Sequence, residues 1–314
     1  MRRYSPSADA WSDALLFEGG GFSGRAVTVH RNAVNFIGSD GSLLTLVSPS
    51  VFPGRGRVSF PLEGMTGEFF EEGDALSISE GLLSFDGRGV RFPASMFRMW
   101  REDALSDLPG ADVVSRGAVD FAVSVFPLLR PGERRLMRTL VSSVCLFAGI
   151  AAPSFDAPDE GDPVYDRISS LWLSFLESDL GEAPSRAFVK GAVGLGYGFT
   201  PSGDDVLSGI LCAGSMMGAA YGLNPLGPLS RAAVAGSGAT SVVSGKLLRT
   251  AASGARPLEL SRLFRIMAGR PSSDSFEATH PHSGVVGYML GHGCSSGREI
   301  MAGFAAGVLL CRFH

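Results

Sequence analysis

The segment Ser202-Gly203-Asp204-Asp205-Val206-Leu207-Ser208-Gly209 returns, at an offset of 94 residues, as Ser296-Gly297-Arg298-Glu299-Ile300-Met301-Ala302-Gly303. Three of the eight positions are identical, and most of the others match in size. In each copy a Ser-Gly pair opens a helical pattern, and serine is a good helix-capping residue. Small residues then recur every four positions, at Gly214, Gly218 and Gly222 in the first copy and at Gly303 and Gly307 in the second. Such a stripe lets a second helix approach closely. Residues 206–223 carry no charge, and a membrane span needs ~20 predominantly apolar residues. Ser208, Gly209, Gly214, Ser215, Gly218 and Gly222 dilute the segment, so it reads as the buried central helix of a soluble protein. If the two helices lie side by side, their Ser-Gly starts meet at one point. A duplication kept only for packing is the plainer alternative.

The rest of the chain divides in two. The first third holds short runs of partial alternation: Ala26–His30, Ala33–Ile37, Ser42–Val47, Arg57–Leu62, Ala75–Ile78, Leu82–Phe85 and Val90–Phe92. Asp40-Gly41 and Asp86-Gly87 read as hairpin turns between them. Helical patterns follow at Ala111–Leu129, Glu133–Gly149, Pro163–Asp179, Gly203–Tyr221, Leu229–Ala235, Thr240–Ala252, Pro257–Ala268, Gly284–Leu290 and Arg298–Cys311. Residues 151–162 read as a solvated, proline-containing loop. The expected class is α+β: an N-terminal antiparallel β barrel or sandwich-like region over residues 1–97, then a mainly α-helical region over 98–314. Alternating βαβ units are absent, which excludes a doubly wound parallel sheet.

Gly191-Ala-Val-Gly194-Leu-Gly196-Tyr-Gly198-Phe-Thr200-Pro-Ser202-Gly203-Asp204-Asp205 leads straight into the first uncharged helix. It is not a nucleotide motif: Phe199 stands where a dinucleotide fingerprint needs glycine, and no Gly-Lys-Ser/Thr is present. Its physical content is different. Thr200 and Ser202 suit the helix cap, Pro201 suits the first turn, and Ser202-x-x-Asp205 has the spacing of a capping box. Gly196, Gly198 and Gly203 free the backbone so that N–H groups can converge, and a helix N-terminus adds partial positive charge. Such a place binds phosphate or carboxylate; a well-capped buried helix is the bland reading of the same residues.

The second loop, His292-Gly-Cys-Ser295-Ser296-Gly297-Arg298, offers hydroxyls, a guanidinium and an imidazole beside the second helix start. Between the loops, Thr240 or Ser241 caps a helix whose first turns carry Ser244 and Lys246, and Gly254 closes it. Lys246 could neutralise a substrate anion, although a lone lysine is more often simply solvated. His280, His282 and His292 show no zinc spacing, and no Gly-x-Ser-x-Gly elbow marks a nucleophile. Cys294 reads as a packed thiol.

Composition narrows the classes further. The 314 residues are 45% apolar and 18% charged, with 27 basic against 31 acidic side chains, which excludes disorder and disfavours a basic nucleic-acid face. Four cysteines without a CxxC pair suit a reducing compartment. Residues 1–17 carry Arg2 and Arg3 but no apolar run of a secretory signal, so a cytoplasmic location is expected.

These residues resemble a known family. Gly194-Leu-Gly196-Tyr-Gly198-Phe-Thr200-Pro-Ser-Gly203-Asp204-Asp205 is similar to the signature of the AllH family. Thr240-Ser-Val-Val-Ser244 and Gly291-His292-Gly-Cys-Ser-Ser296-Gly297 are similar to its other two marks. Tyr197 and Phe199 depart from the Pro and Leu expected there, and Glu299 departs from Asp. The resemblance implies a role in anaerobic allantoin use and purine-nitrogen catabolism, beside FdrA and a third subunit. There oxamate carbamoyltransferase moves a carbamoyl group between oxalurate and phosphate. On that basis Asp204 and Asp205 are the expected catalytic pair. Gly196, Gly198, Thr200, Ser202, Gly203, Ser244, Lys246, His292, Ser295, Ser296, Gly297 and Arg298 are expected to bind a small anionic substrate. No organic cofactor is implied, and the spacing of the paired aspartates gives no support for Mg²⁺. The expected partners are that substrate and FdrA-like or other subunits in an oligomer, with no nucleic acid and no membrane. A non-catalytic partner subunit, and a standalone hydrolase or lyase of a small carboxylated amide, are the alternative readings.

Overall fold

The computed structural model describes residues 11–13, 16, 21–30, 33–48, 51, 56–59, 69–100, 105, 107–155, 161–270 and 284–314. By compactness the chain forms two units, residues 1–103 and 104–314.

The first unit is a single mixed sheet of nine described strands. They are β1 (Trp11–Asp13), β2 (Phe22–His30), β3 (Ala33–Gly38), β4 (Leu43–Val47), β5 (Arg57–Ser59), β6 (Ala75–Ser79), β7 (Leu82–Phe85), β8 (Val90–Pro93) and β9 (Arg98–Trp100). Their order is β8-β7-β6-β2-β3-β4-β5-β1-β9. Two antiparallel meanders, β2-β3-β4 and β6-β7-β8, join where β2 pairs with β6. The β4/β5 and β1/β9 pairings are parallel, so the sheet is mixed where an antiparallel one was expected. The sheet curls as a half-barrel: its terminal strands β8 and β9 do not pair with each other among the described residues.

Alternation in the strands turns Val34, Phe36, Leu44, Leu46, Leu76, Ile78, Leu83 and Phe85 into one core, where Phe36, Phe70, Phe85 and Phe92 meet edge to face or tilted. On the three-strand meander, Asn35 Nδ2 donates to Thr28 Oγ1 and Thr45 Oγ1 donates to Asn35 Oδ1, a polar rung that satisfies the buried amide. The Asp40-Gly41 turn forms as expected, with Asp40 Oδ1 accepting from the Ser42 N–H. At Asp86-Gly87 the chain makes a short 3₁₀ turn closed by Gly89 at φ +63°. Residues 60–62 of the expected fourth run, and His280 and His282, lie outside the described residues.

The second unit holds ten described helices: α1 (Ala111–Val125), α2 (Pro131–Phe147), α3 (Pro163–Leu176), α4 (Glu182–Ala192), α5 (Ser202–Tyr221), α6 (Gly227–Gly236), α7 (Val242–Ala252), α8 (Leu258–Met267), α9 (Val285–Gly291) and α10 (Ser296–Phe313). The α+β reading therefore holds. The periodicity reading misses α4, whose Pro184 and Gly191 look like breakers. Pro184 sits in the first turn, where no intrahelical N–H bond is lost.

The centre of this unit is α5 against α10, which run parallel with their N-termini together. A Cβ on Gly209 would lie 2.2 Å from the Ile300 carbonyl oxygen, and one on Gly303 would lie 2.2 Å from that of Val206. Those four residues exchange places under the 94-residue offset, so the helix pair has an approximate two-fold relation built from a repeated sequence. Gly307 completes the contact against Ile210 and Ala213. The stripe at Gly214 and Gly218 has another use: it receives Asn224 and Leu226 of the chain returning from α5, while Gly222, at φ +71°, ends the helix. Among the described residues no helix is long and apolar enough to cross a membrane.

Candidate functional site

The two Ser-Gly loops meet. Thr200 Oγ1 and Ser296 Oγ lie 2.9 Å apart, one on each loop. Each Ser-Gly glycine is wedged against the last turn of the helix before it: a Cβ on Gly203 would come within 2.0 Å of the Ala192 carbonyl oxygen, and one on Gly297 within 1.9 Å of that of Met289. Only glycine allows this approach. Their N–H groups are used internally, Gly203 donating to Leu195 O and Gly297 to His292 O.

The capping expectation fails. Pro201 is the N-cap of α5 and no side chain caps it. The Asp204 and Asp205 N–H groups are already taken by the Pro201 carbonyl. The two aspartates, paired in the sequence, separate into different tasks. Asp204 is buried and saturated: Oδ1 accepts from the Gly194 N–H at 2.9 Å, and Oδ2 accepts from Thr240 Oγ1 at 2.5 Å and Ser244 Oγ at 2.6 Å. It ties the glycine-rich loop, α5 and the start of α7 together, and Ser244 is spent on it. Ser241 caps α7 through the Ser244 N–H, and its hydroxyl also donates to Phe199 O.

Asp205 faces α10. It is 5% exposed, and its Oδ2 has no hydrogen-bond partner. Across from it stands Glu299, 1% exposed, whose Oε1 accepts from the Tyr165 hydroxyl at 2.8 Å and whose Oε2 is also unpartnered. Burial pushes the Asp205 carboxyl well above the usual range, the neighbouring Glu299 charge adds to it, and the Ser296 and Thr200 hydroxyls offset it in part. Burial likewise raises Glu299, against the pull of the Ser202, Tyr165 and Ser295 hydroxyls and of the Asp205 carboxyl. Burial and the Glu299 carboxyl push the Tyr165 phenol up.

The offset relation extends into the site. Asp205 and Glu299 are equivalent positions, and so are Ser202 and Ser296. Each serine stands beside the carboxyl of the opposite helix, Ser202 by Glu299 and Ser296 by Asp205. Two carboxyls this close share a proton more readily than they carry two charges.

Other expected residues are placed elsewhere. Arg298, 8% exposed, turns away from the carboxyls: Nε donates to Glu133 Oε1 on α2 at 2.8 Å, and its remaining nitrogens donate to the Leu290 and Cys294 carbonyls. It fixes the α9–α10 loop. Lys246 lies two residues beyond Ser244, ~200° around the helix, and so on a different face from the one that reaches Asp204. His292 is half-buried with its ring 5.4 Å from that of Tyr288. Cys294 is exposed, its Sγ 3.7 Å from a guanidinium nitrogen of Arg130. No group of three or more His, Cys, Asp or Glu is placed to hold a metal among the described residues.

The glycine-rich loop is the open side of the cluster. Gly194, Gly196 and Gly198 have φ of +76°, +120° and +91°. The Gly196, Tyr197 and Gly198 N–H groups make no hydrogen bond to any described residue, and Tyr197 is 75% exposed. Sequence reasoning missed Glu299 and Tyr165. For Glu299 the signal was present, because the offset repeat sets it opposite Asp205; for Tyr165 there was none.

No curated protein and no solved structure shows a significant match to the chain. A family model does match, and it covers the glycine-rich loop, both Ser-Gly helix starts, Asp204, Asp205 and Glu299. Residues 192–308 are similar to the family described as oxamate carbamoyltransferase subunit AllH.

Proposed function

We propose that this chain is a subunit of a carbamoyltransferase of the oxamate/oxalurate type, and that its site for a small anionic substrate lies where the α5 and α10 N-termini converge. The carrying observation is the meeting of two sequence-distant Ser-Gly loops at Thr200 and Ser296, beside a run of three backbone N–H groups with no hydrogen-bond partner among the described residues. Such N–H groups, with the positive ends of two parallel helices behind them, favour phosphate or carboxylate. The family match over residues 192–308 supports the reaction class. In this reading Asp205, held with its carboxyl raised, gives a proton to the oxamate nitrogen as it leaves the carbamoyl carbon, or takes it back in the reverse direction, and the loop N–H groups stabilise developing negative charge. Asp204 positions the loop and does not touch substrate. The reading places the chain in purine-nitrogen catabolism beside FdrA-like and other subunits, in the cytoplasm. The exposed side chains of Tyr197 and Phe199 suit coverage by such a subunit.

The test is calorimetric titration of the full chain with phosphate, carbamoyl phosphate and oxamate in a non-phosphate buffer. Saturable binding is expected, weakened by Ser296→Ala and by Gly196→Ala. The second variant forces a Cβ to 2.7 Å from the Ser202 nitrogen at a φ that side chains avoid. Binding that neither variant alters places the anion elsewhere and refutes the proposal.

A further inference from the structure

Asp205 Oδ2 and Glu299 Oε2 are two carboxyl oxygens that are buried and unpartnered, on equivalent turns of two parallel helices. An unsatisfied buried acceptor costs ~1–3 kcal/mol. A proton shared between them can join the two, and a ligand that brings both a donor and an acceptor can take the place of that contact. Among the described residues, Arg298 is engaged by Glu133 and two carbonyls, and Arg130 by the α9–α10 loop at Cys294. Asp204 is closed by its three donors, and the Tyr165 hydroxyl is already given to Glu299.

Three kinds of occupant can be weighed. An anion meets like charge. A cation meets the positive ends of two helices and a pair that holds a proton, so it gains at most one unit of opposite charge. A primary amide fits both halves: its N–H₂ donates to a bare carboxylate oxygen, and its carbonyl accepts from the protonated partner.

We propose that the Asp205–Glu299 pair takes the neutral carbamoyl end, –CO–NH₂, of the substrate, while the anionic end lies on the free N–H groups of Gly196, Tyr197 and Gly198. This rests on the anion-site reading above and gives the substrate a direction in that site, amide inward and anion outward. Binding parts the Thr200–Ser296 hydroxyl pair, and the glycines at Gly196 and Gly198 allow the loop to follow. Glu299 acts on substrate directly, as the partner carboxyl of Asp205. Tyr165 is a positioning residue that holds Glu299 Oε1, leaving Oε2 for the ligand.

The experiment titrates the full chain, in a non-phosphate buffer near neutral pH, with phosphate, oxamate, oxalate and MgCl₂. Oxalate has the size of oxamate but replaces the amide with a second carboxylate. Oxamate is expected to bind about tenfold or more tighter than oxalate, since a site built for N–H donors rejects a ligand lacking them. In Asp205→Asn and in Glu299→Gln that preference is expected to fall to about threefold or less, with phosphate affinity within about threefold of the wild type. Thermal melting checks that each variant is folded; if either is not, the other and the wild-type ratio carry the test. Phosphate binding with equal affinity for oxamate and oxalate overturns the amide assignment and leaves the anion site standing. Mg²⁺ binding that either variant abolishes overturns it in favour of a cation. Absence of binding by all three anions overturns the anion site itself, and the assignment with it.

Discussion

Replacing Gly209 or Gly303 with alanine tests the packing that brings the two loops together. The added Cβ would sit 2.2 Å from a backbone carbonyl oxygen of the opposite helix, Ile300 for Gly209 and Val206 for Gly303. Ordinary carbon contacts need ~3.5 Å, so α5 and α10 must part by about 1 Å or more. Neither oxygen can rotate away, because both belong to helix backbone, and both helices are buried over most of their length. Overpacking of this kind costs up to ~3 kcal/mol, and alanine returns ~1 kcal/mol of helix propensity, for a net loss of ~2 kcal/mol. In a unit of this size that lowers the melting temperature by roughly 4–8 °C. The two clashes share one interface, so parting the helices for one relieves the other, and the double variant is expected to lose less than the sum. Gly218→Ala is the control: its Cβ would meet only the Asn224 side chain, at 3.1 Å, which can yield. Melting followed by circular dichroism decides. If both single variants melt at or above the wild type, the close parallel pairing of α5 and α10 is refuted.

Three further outcomes are expected. Asp205 and Glu299 both have carboxyls raised above their ordinary values of 3.8 and 4.5, so their stabilising contribution is complete below those values and is lost as pH rises through the raised ones. Asp205→Asn is therefore expected to flatten the fall of stability with pH and to melt at or above the wild type at pH 8; a variant that melts lower at pH 8 than at pH 5 as steeply as the wild type contradicts this. Asp204→Ala strands one N–H and two hydroxyl donors and is expected to cost ~3 kcal/mol or more in denaturant unfolding, where an unchanged midpoint would show that the three bonds do not form. Arg298→Met leaves Glu133 buried without its partner, expected to cost ~3–5 kcal/mol, and Glu133→Leu in the same chain recovers part of it. A double-mutant cycle with no coupling would remove the ion pair from the account.

What could be read in the sequence follows its periodicities. The strand runs and nine of the helical patterns announce themselves through alternation and 3.6-residue spacing, so the α+β division needs no tertiary information. The three-residue strands β1 and β9 carry no such signal, because their partners choose them. At the site, the offset repeat correctly places two Ser-Gly starts side by side, since glycine at Gly209, Gly303 and Gly307 has one plain use in a buried helix. Charge is harder to read than packing. Asp204 and Asp205 look alike in the sequence, yet ~100° of helical rotation sends one to three donors and the other to a second carboxyl. Arg298 and Lys246 look like substrate cations; the first is consumed by Glu133 and the second lies on another face. Tyr165 comes from a helix whose relation to α10 exists only in the folded unit.

The parallel course of α5 and α10 has a temporal side. An antiparallel neighbour can be reached by a short turn, but a parallel one needs a long return, and here that return takes in α6 to α9. The pairing that makes the core of the second unit is therefore a non-local contact, the kind that forms slowly. At ordinary elongation rates α10 leaves the ribosome roughly 5–20 s after α5. Through that interval α5, uncharged from Val206 to Tyr221, has no α10 to cover its glycine face. A chain born this way has reason to depend on a holding chaperone until its second Ser-Gly helix arrives.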